Sequence, residues 1–180
     1  MSENDPISVV PYDPEWPLAF RREVSLLQTF VVPFFERIEH MGSTAVPGLA
    51  AKPVIDMMAG VPDLDSKESL GAQLAPLGYA FVETGMTGRW LFRRKDAGVG
   101  YHLHVVDLAS MERRKELLFR DYLRENHDAL QAYAALKQGL ATEFASDRLA
   151  YTKAKTAFVQ QVIDAVHDAR GWPRIDVWED

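Results

Sequence analysis

The sequence predicts an α+β fold in which a mixed sheet is flanked by helices and the C-terminal third is helical. An amphipathic helix precedes the first strands, short apolar segments with glycine-rich connections follow, and helical spacing dominates after residue 110. The 180 residues suit one domain. We expect its sheet core at residues 7–109, its helical part at 110–170, and tails at 1–6 and 171–180.

Five short segments rich in apolar, β-branched and aromatic residues are predicted strands. They lie at Phe34–Met41, Val54–Val61, Tyr79–Glu83, Arg89–Arg94 and Tyr101–Asp107. The connections at residues 84–88 and 95–100 are rich in glycine, which is typical of hairpin loops.

Helical spacing of apolar residues predicts five helices. They lie at residues 14–30, 65–77, 110–126, 128–144 and 147–170. The first begins at an Asp13-Pro14 step and is expected to end before Pro33. The second is expected to begin at Asp65, with Glu68 as its capping-box partner.

Composition narrows the classes of function. No apolar run approaches the roughly 18 residues that a membrane span needs, and the N-terminal residues lack a signal-peptide pattern, so we expect a cytoplasmic protein with no membrane partner. The chain has no cysteine, so any metal site must use Asp, Glu or His. A net charge of −6 disfavours general nucleic-acid binding and favours a small ligand.

The most informative segment is residues 38–58. A strand ends at a Gly42-Ser43 turn, and a second apolar strand carries a single carboxylate, Asp56. Glycine lets the backbone approach an anion closely, and alternation along the strand turns Asp56 away from its apolar neighbours, Ile55 and Met57. A phosphate cradle followed by a carboxylate is the arrangement that nucleotidyltransferases use for a nucleotide and its metal.

Several motifs make the chain resemble the GrpB family of bacterial proteins, from about Val10 to Ala169. They are Tyr12-Asp-Pro-Glu-Trp16, His40-Met-Gly-Ser-Thr44, Val46-Pro-Gly-Leu-Ala-Ala-Lys-Pro53 with Ile55-Asp56, Gly78-Tyr79, His102-Leu-His104, Phe119-Arg-Asp-Tyr-Leu-Arg124, Tyr133 with Leu136-Lys137, and Tyr151 with Lys155. The resemblance implies a nucleotidyltransferase-like fold, similar to the palm of DNA polymerase β. Some members of the family are fused to the last enzyme of coenzyme A synthesis, which suggests a nucleotide-related or CoA-related role.

The resemblance also implies a metal site. In the superfamily, two carboxylates two residues apart on one strand hold Mg²⁺, but here Met58 occupies the second position. His102 and His104 share one face of a strand and are the candidate ligands beside Asp56. The expected cofactor is a divalent metal, Mg²⁺ or Mn²⁺ ahead of Zn²⁺, although two imidazoles suit a transition metal. Contact with phosphate and polar packing are the alternatives for the histidines.

The expected phosphate-binding residues combine a turn, basic side chains and one aromatic ring. They are Gly42, Ser43, Lys52, Arg89, Arg120, Lys137, Tyr151 and Lys155. Tyr151 is expected to stack a base, and the cations to meet phosphates. The alternatives are an exposed surface lysine at Lys52, a solvated strand face at Arg89, and a structural ion-pair network around Arg120 and Asp121.

Two functions follow. The first is an enzyme that binds a nucleotide or another phosphate-bearing small molecule and transfers a nucleotidyl group, with Asp56 as its catalytic residue. The second is a nucleotide-binding or CoA-related module without enzyme activity, and Met58 favours it. Neither the nucleotide nor the oligomeric state follows from the sequence.

Overall fold

The computed structural model describes residues 8–31 and 35–178. The predicted tail at residues 1–6, the helix stop at Pro33 and the strand start at Phe34 lie outside these residues. Within them, no helix is both long enough and apolar enough to cross a membrane.

The described helices and strands follow the predicted order. The helices are α1 (Glu15–Phe30), α2 (Lys67–Leu74), α3 (Lys115–Glu125), α4 (His127–Glu143) and α5 (Arg148–Arg170). The strands are β1 (Arg37–Met41), β2 (Val54–Val61), β3 (Ala80–Val82), β4 (Arg89–Asp96) and β5 (Val99–Asp107). The predicted α+β class with a helical C-terminal third is therefore confirmed.

The five strands form one mixed sheet in the order β1-β2-β5-β4-β3. The central strands β2 and β5 run parallel, and the other neighbouring pairs are antiparallel. The parallel register places Asp56 opposite His102 and Met58 opposite His104. The three predicted site residues thus lie on the two central strands.

Alternation along β2 separates two layers. Ile55, Met57 and Ala59 pack into the main core with buried residues of α1 and α2, such as Leu27 and Leu70. Met58 faces the other side, where it packs with apolar residues between β1 and α3. Because side chains in a strand point alternately to its two faces, Asp56 lies on the same side as Met58, beneath the C-terminal helices.

The start of α2 differs from the prediction. The helix is preceded by Ser66, whose side chain makes no capping hydrogen bond. Instead, Asp63 Oδ1 accepts a hydrogen bond from the Asp65 backbone N–H at 3.1 Å, which holds Asp65 in the preceding turn. The predicted capping box of Asp65 and Glu68 is therefore wrong, and α2 is shorter than expected.

The predicted six-residue loop at 95–100 is also wrong. Asp96 pairs directly with Val99, so the two strands are joined by Ala97 and Gly98 alone. Their φ angles are 45° and 86°. Positive φ at both positions matches the twist of a tight two-residue hairpin, and the strands can extend into the expected loop.

Two segments of the C-terminal half also differ from expectation. The predicted helix at 110–126 is divided into a 3₁₀ helix at Leu108–Arg113 and α3, because Arg114 has an extended backbone. Residues 171–178 were expected as a tail, but Trp172 and Val177 pack against residues of α3 and α5. Lys115 Nζ donates a hydrogen bond to the Val177 carbonyl at 2.7 Å.

A buried ion pair attaches α1 to the sheet. Glu23, only 3% exposed, accepts hydrogen bonds from Arg94 Nε at 3.0 Å and from the Tyr79 hydroxyl at 2.8 Å. The Arg94 guanidinium lies over the Tyr101 ring, 4.6 Å from its centroid. Both charged groups of this pair therefore have polar or aromatic partners, as buried charges require.

We expect Glu23→Ala to lower the free energy of unfolding by about 3–5 kcal/mol, because it leaves Arg94 without its carboxylate in a largely buried position. Urea unfolding measures the change. Glu15→Ala is the matched control, since Glu15 and Arg22 form an exposed pair on the same helix. It should change stability by less than about 1 kcal/mol. Equal effects of the two substitutions would contradict a structural role for the buried pair.

Candidate functional site

A cleft separates the C-terminal helices from the sheet face that carries Asp56. It has two connected cavities, each of about 330 Å³, and both are lined by Ser43 and Asp56. We name the first the lysine arm; its polar walls are Ser43, Lys52, Asp56, His102, Lys137, Tyr151 and Lys155. We name the second the apolar arm; its walls are Met41, Val46, Phe119, Leu123, Val159 and Val177, with Arg89, His104 and Glu116 among its polar residues.

The Gly42 position requires glycine for two reasons. Its φ is +72°, and a Cβ built there would lie 2.6 Å from Asp56 Oδ2. The turn can therefore approach the carboxylate only because this residue has no side chain. The next residues are held by Thr44, whose hydroxyl donates to the Val54 carbonyl at 2.8 Å and lies 3.0 Å from His40 Nε2.

Asp56, His102 and His104 form a compact cluster at the junction of the arms. His102 Nδ1 lies 3.0 Å from Asp56 Oδ1. One ligand atom from each of the three residues can be chosen so that all lie within 4.8 Å of one another. The three residues therefore lie on neighbouring strands with their side chains close together, as predicted.

The donor set of this cluster fits a divalent transition metal. His104 Nδ1 is shielded from solvent and has no hydrogen-bond partner in the described part of the chain. Burial, with a smaller effect from Arg89, lowers the pKa of His104 to about 4, so the imidazole is neutral, the form that binds metals. Met58 contributes no ligand, because it is fully buried among apolar side chains.

Lys137 reaches the Gly42-Ser43 turn from α4. Its Nζ donates hydrogen bonds to Ser43 Oγ at 2.9 Å and to the Ala50 carbonyl at 2.6 Å. The residue is only 3% exposed. Burial lowers its pKa to about 7, and the nearby Lys155 ammonium adds to this shift.

Two further lysines contact the ring of Tyr151. The Nζ atoms of Lys52 and Lys155 lie over its ring, 4.6 and 4.3 Å from the centroid. Burial and, to a smaller extent, the Lys52 ammonium lower the pKa of Lys155 to about 8, and Asp56 partly opposes them. The ring is buried and is already in contact with two ammonium groups. These contacts differ from the stacking on a base that was expected from the sequence.

The predicted arginines lie at the apolar arm and have protein partners. Arg120 contacts Glu39 Oε2 at 2.8 Å, Asp121 Oδ1 at 2.7 Å and the His40 carbonyl at 2.7 Å. These contacts correspond to the ion-pair network that was the alternative for Arg120. Arg89 forms an ion pair with Glu116. Their phosphate-binding role remains a prediction.

All eleven predicted site residues therefore line the cleft, but in two groups. The lysine arm contains Ser43, Lys52, Asp56, His102, Lys137, Tyr151 and Lys155, and the apolar arm contains Gly42, Arg89, His104 and Arg120. Sequence reasoning missed Glu116, because a charged residue in the first turn of an exposed-looking helix has no distinctive pattern. It also missed Thr44, although this residue belongs to the quoted His40–Thr44 motif.

Two relatives illustrate what the chain is similar to. The family model described as GrpB protein matches residues 6–165. A UPF0157 protein of Pseudomonas aeruginosa is 38% identical over 97% of this chain and 73% of the relative. A dephospho-CoA kinase of Mycolicibacterium paratuberculosis is 29% identical over 97% of this chain, which spans about half, 48%, of that longer protein.

Solved structures agree with the predicted fold. The crystal structure of the conserved protein GrpB from Enterococcus faecalis has a TM-score of 0.81 and 30% identity, over 91% of this chain and 99% of that chain. The nucleotidyltransferase-fold protein in the GLD-2/RNP-8 complex has a TM-score of 0.57 and 15% identity, over 83% of this chain and 60% of that chain. The nucleotidyltransferase-like fold is thus confirmed.

Lys137 should make stability depend on pH. The unfolded chain keeps a proton on this lysine up to about pH 10, whereas the folded chain releases it near pH 7, so the unfolded state binds more protons between these values. We expect the stability of the parent relative to Lys137→Met to rise with pH in this window, by up to about 1.4 kcal/mol per unit. Urea unfolding at pH 7.5–9.5 measures it. A pH-independent difference would contradict the shifted pKa.

Proposed function

The chain belongs to the GrpB family, and on that premise we propose that its cleft binds a nucleotide or another phosphate-bearing small molecule and supports metal-dependent nucleotidyl transfer. The observation that carries this proposal is the convergence on one cavity of the Ser43 hydroxyl, three lysines and Asp56. The lysines come from the segment before β2, from α4 and from α5, so folding alone brings these like charges together. An anion offsets their repulsion.

Each group has a separate task in this proposal. Lys137 donates to Ser43 Oγ, which leaves the hydroxyl proton of Ser43 free to donate to a phosphate oxygen. Lys52 and Lys155 line the same cavity and supply point charges. The proximity of Gly42 to Asp56 brings the turn and the carboxylate to the same phosphoryl group.

Asp56, His102 and His104 would hold the metal. A divalent ion in such a site supplies positive charge against the charge that develops on the transferred phosphoryl group. Asp56 also keeps His102 in a fixed orientation through the contact at Nδ1. Two imidazoles and one carboxylate favour Mn²⁺ or Zn²⁺ over Mg²⁺, which prefers oxygen ligands.

The second candidate is a binding module without enzyme activity. Met58 favours it, because an apolar cluster occupies the position where the superfamily has a second carboxylate. The similarity to a dephospho-CoA kinase makes a CoA-related phosphate ester a candidate ligand for such a module. The lysine arm serves either candidate, whereas only the enzyme requires turnover at Asp56.

We expect tripolyphosphate and nucleoside triphosphates to bind the parent protein in titration calorimetry, with an affinity that falls as salt is added. Ser43→Ala should weaken binding by up to about tenfold, since one neutral hydrogen bond contributes roughly 0.5–1.5 kcal/mol. Ser25→Ala, on the exposed face of α1, is the matched control and should bind like the parent. If no phosphate compound binds at low salt, both candidate functions fail.

We expect Asp56→Asn to abolish Mn²⁺ binding and the metal-dependent release of pyrophosphate from a nucleoside triphosphate with water as the nucleotidyl acceptor, because it removes the only carboxylate of the described metal cluster. Tripolyphosphate should still bind without metal. Asp63→Asn, at an exposed carboxylate beyond β2, is the control and should behave like the parent. Binding of tripolyphosphate without turnover in the parent, for any triphosphate and metal, would favour the binding module. Equal turnover in parent and Asp56→Asn would mean that the carboxylate is structural.

A further inference from the structure

The ring of Tyr151 joins two lysines that are distant in the sequence. Lys52 lies in the segment before β2, and Lys155 lies one turn along α5 from the tyrosine itself. Both Nζ atoms lie over the ring, within 4.6 Å of its centroid. Tyr151 is 3% exposed and belongs to a small buried cluster with Leu140.

We propose that Tyr151 is a positioning residue whose ring holds Lys52 and Lys155 together in the lysine arm, the anion site of the proposed function, before any ligand binds. The inference rests on the proposed function for the identity of the ligand, an anion with several phosphoryl groups. It assigns Tyr151 a role that differs from stacking on a base. The ring acts through the two lysines and does not itself contact the ligand.

The physical reason is the charge distribution of the ring. Two ammonium groups repel each other, and burial raises the cost of holding both in one cavity. The face of an aromatic ring carries partial negative charge and attracts cations at these distances. A tyrosine therefore offsets part of the repulsion without neutralising the lysines, whereas a carboxylate at the same place would compete with the phosphate.

A second lysine–tyrosine contact of this kind occurs on α4. Lys137 Nζ lies 5.0 Å from the centroid of the Tyr133 ring, and these residues are four apart, as are Tyr151 and Lys155. All three lysines of the anion site thus lie over a buried tyrosine ring. Tyr151 differs from Tyr133 in contacting a second lysine, Lys52, which comes from the segment between β1 and β2. Tyr151 therefore links α5 to that segment.

The first experiment tests the arrangement in the ligand-free protein. Lysine labelled with ¹³C is observed by NMR, with assignments from Lys52→Arg and Lys155→Arg. The side-chain Hε resonances of Lys52 and Lys155 should be shifted upfield by the ring current in the parent and in Tyr151→Phe, and should move to free-lysine values in Tyr151→Leu. Free-lysine values in the parent would overturn the proposal, whether or not the leucine variant folds.

The second experiment measures tripolyphosphate affinity at pH 7. Tyr151→Leu should bind about tenfold more weakly, whereas Tyr151→Phe should stay within about twofold of the parent because it keeps the ring. Leu140→Ala is the matched control, since it disturbs the same buried cluster but leaves the ring in place. An equal loss in Leu140→Ala, or a tenfold loss in Tyr151→Phe, would overturn the role of the ring. If the parent binds no tripolyphosphate, the proposed function fails, and the ring-current result alone decides whether Tyr151 gathers the lysines.

Discussion

The register of the parallel pair β2–β5 is the constraint on which the site depends. It places Asp56 opposite His102 and Met58 opposite His104, so that one carboxylate and two imidazoles face the cleft. A slip of one residue would turn all of them into the apolar layer under α1 and α2. The register is held by that layer, because Ile55, Met57 and Leu103 are completely buried in it. The core therefore determines which polar groups can meet.

Basic side chains attach the helical part to β1 and to the segment between β1 and β2. Arg120 joins α3 to β1 through Glu39 and the His40 carbonyl, and Arg124 donates to the Ala45 carbonyl at 2.7 Å. Lys137 Nζ likewise donates a hydrogen bond to the Ala50 carbonyl. These contacts hold the end of β1 and the segment between β1 and β2 against α3 and α4. The difference is that Arg120 is neutralised by two carboxylates, whereas Lys137 has a lowered pKa and no carboxylate among its described contacts, as suits a residue that meets an anionic ligand.

Much of the fold was predictable because local patterns and packing agree. The bounds of β2 match the prediction, and Asp147 accepts the capping hydrogen bond that begins α5, from Ala150 N. Predictions failed where short-range alternatives compete. Asp63 and Asp65 formed a turn where a capping box was expected, and Ala97 adopted a positive φ that its side chain disfavours. Val177 packs in the core despite lying near the chain end, which no local pattern reveals.

The sequence by itself determined the fold class, the Gly42-Ser43 turn and the face of β2 on which Asp56 lies, because strand alternation and glycine geometry are local properties. The pairing of β2 with β5, which brings Asp56 to the histidines, depends on the packed core. The tertiary structure alone decided which cations reach that turn. Arg120 and Lys137 both looked like phosphate ligands, but one is held by Glu39 and Asp121 and the other enters the lysine arm. The way in which α3 and α4 pack on the rest of the chain decides where each side chain points. This packing joins segments that are far apart in the sequence, so local patterns do not reveal it.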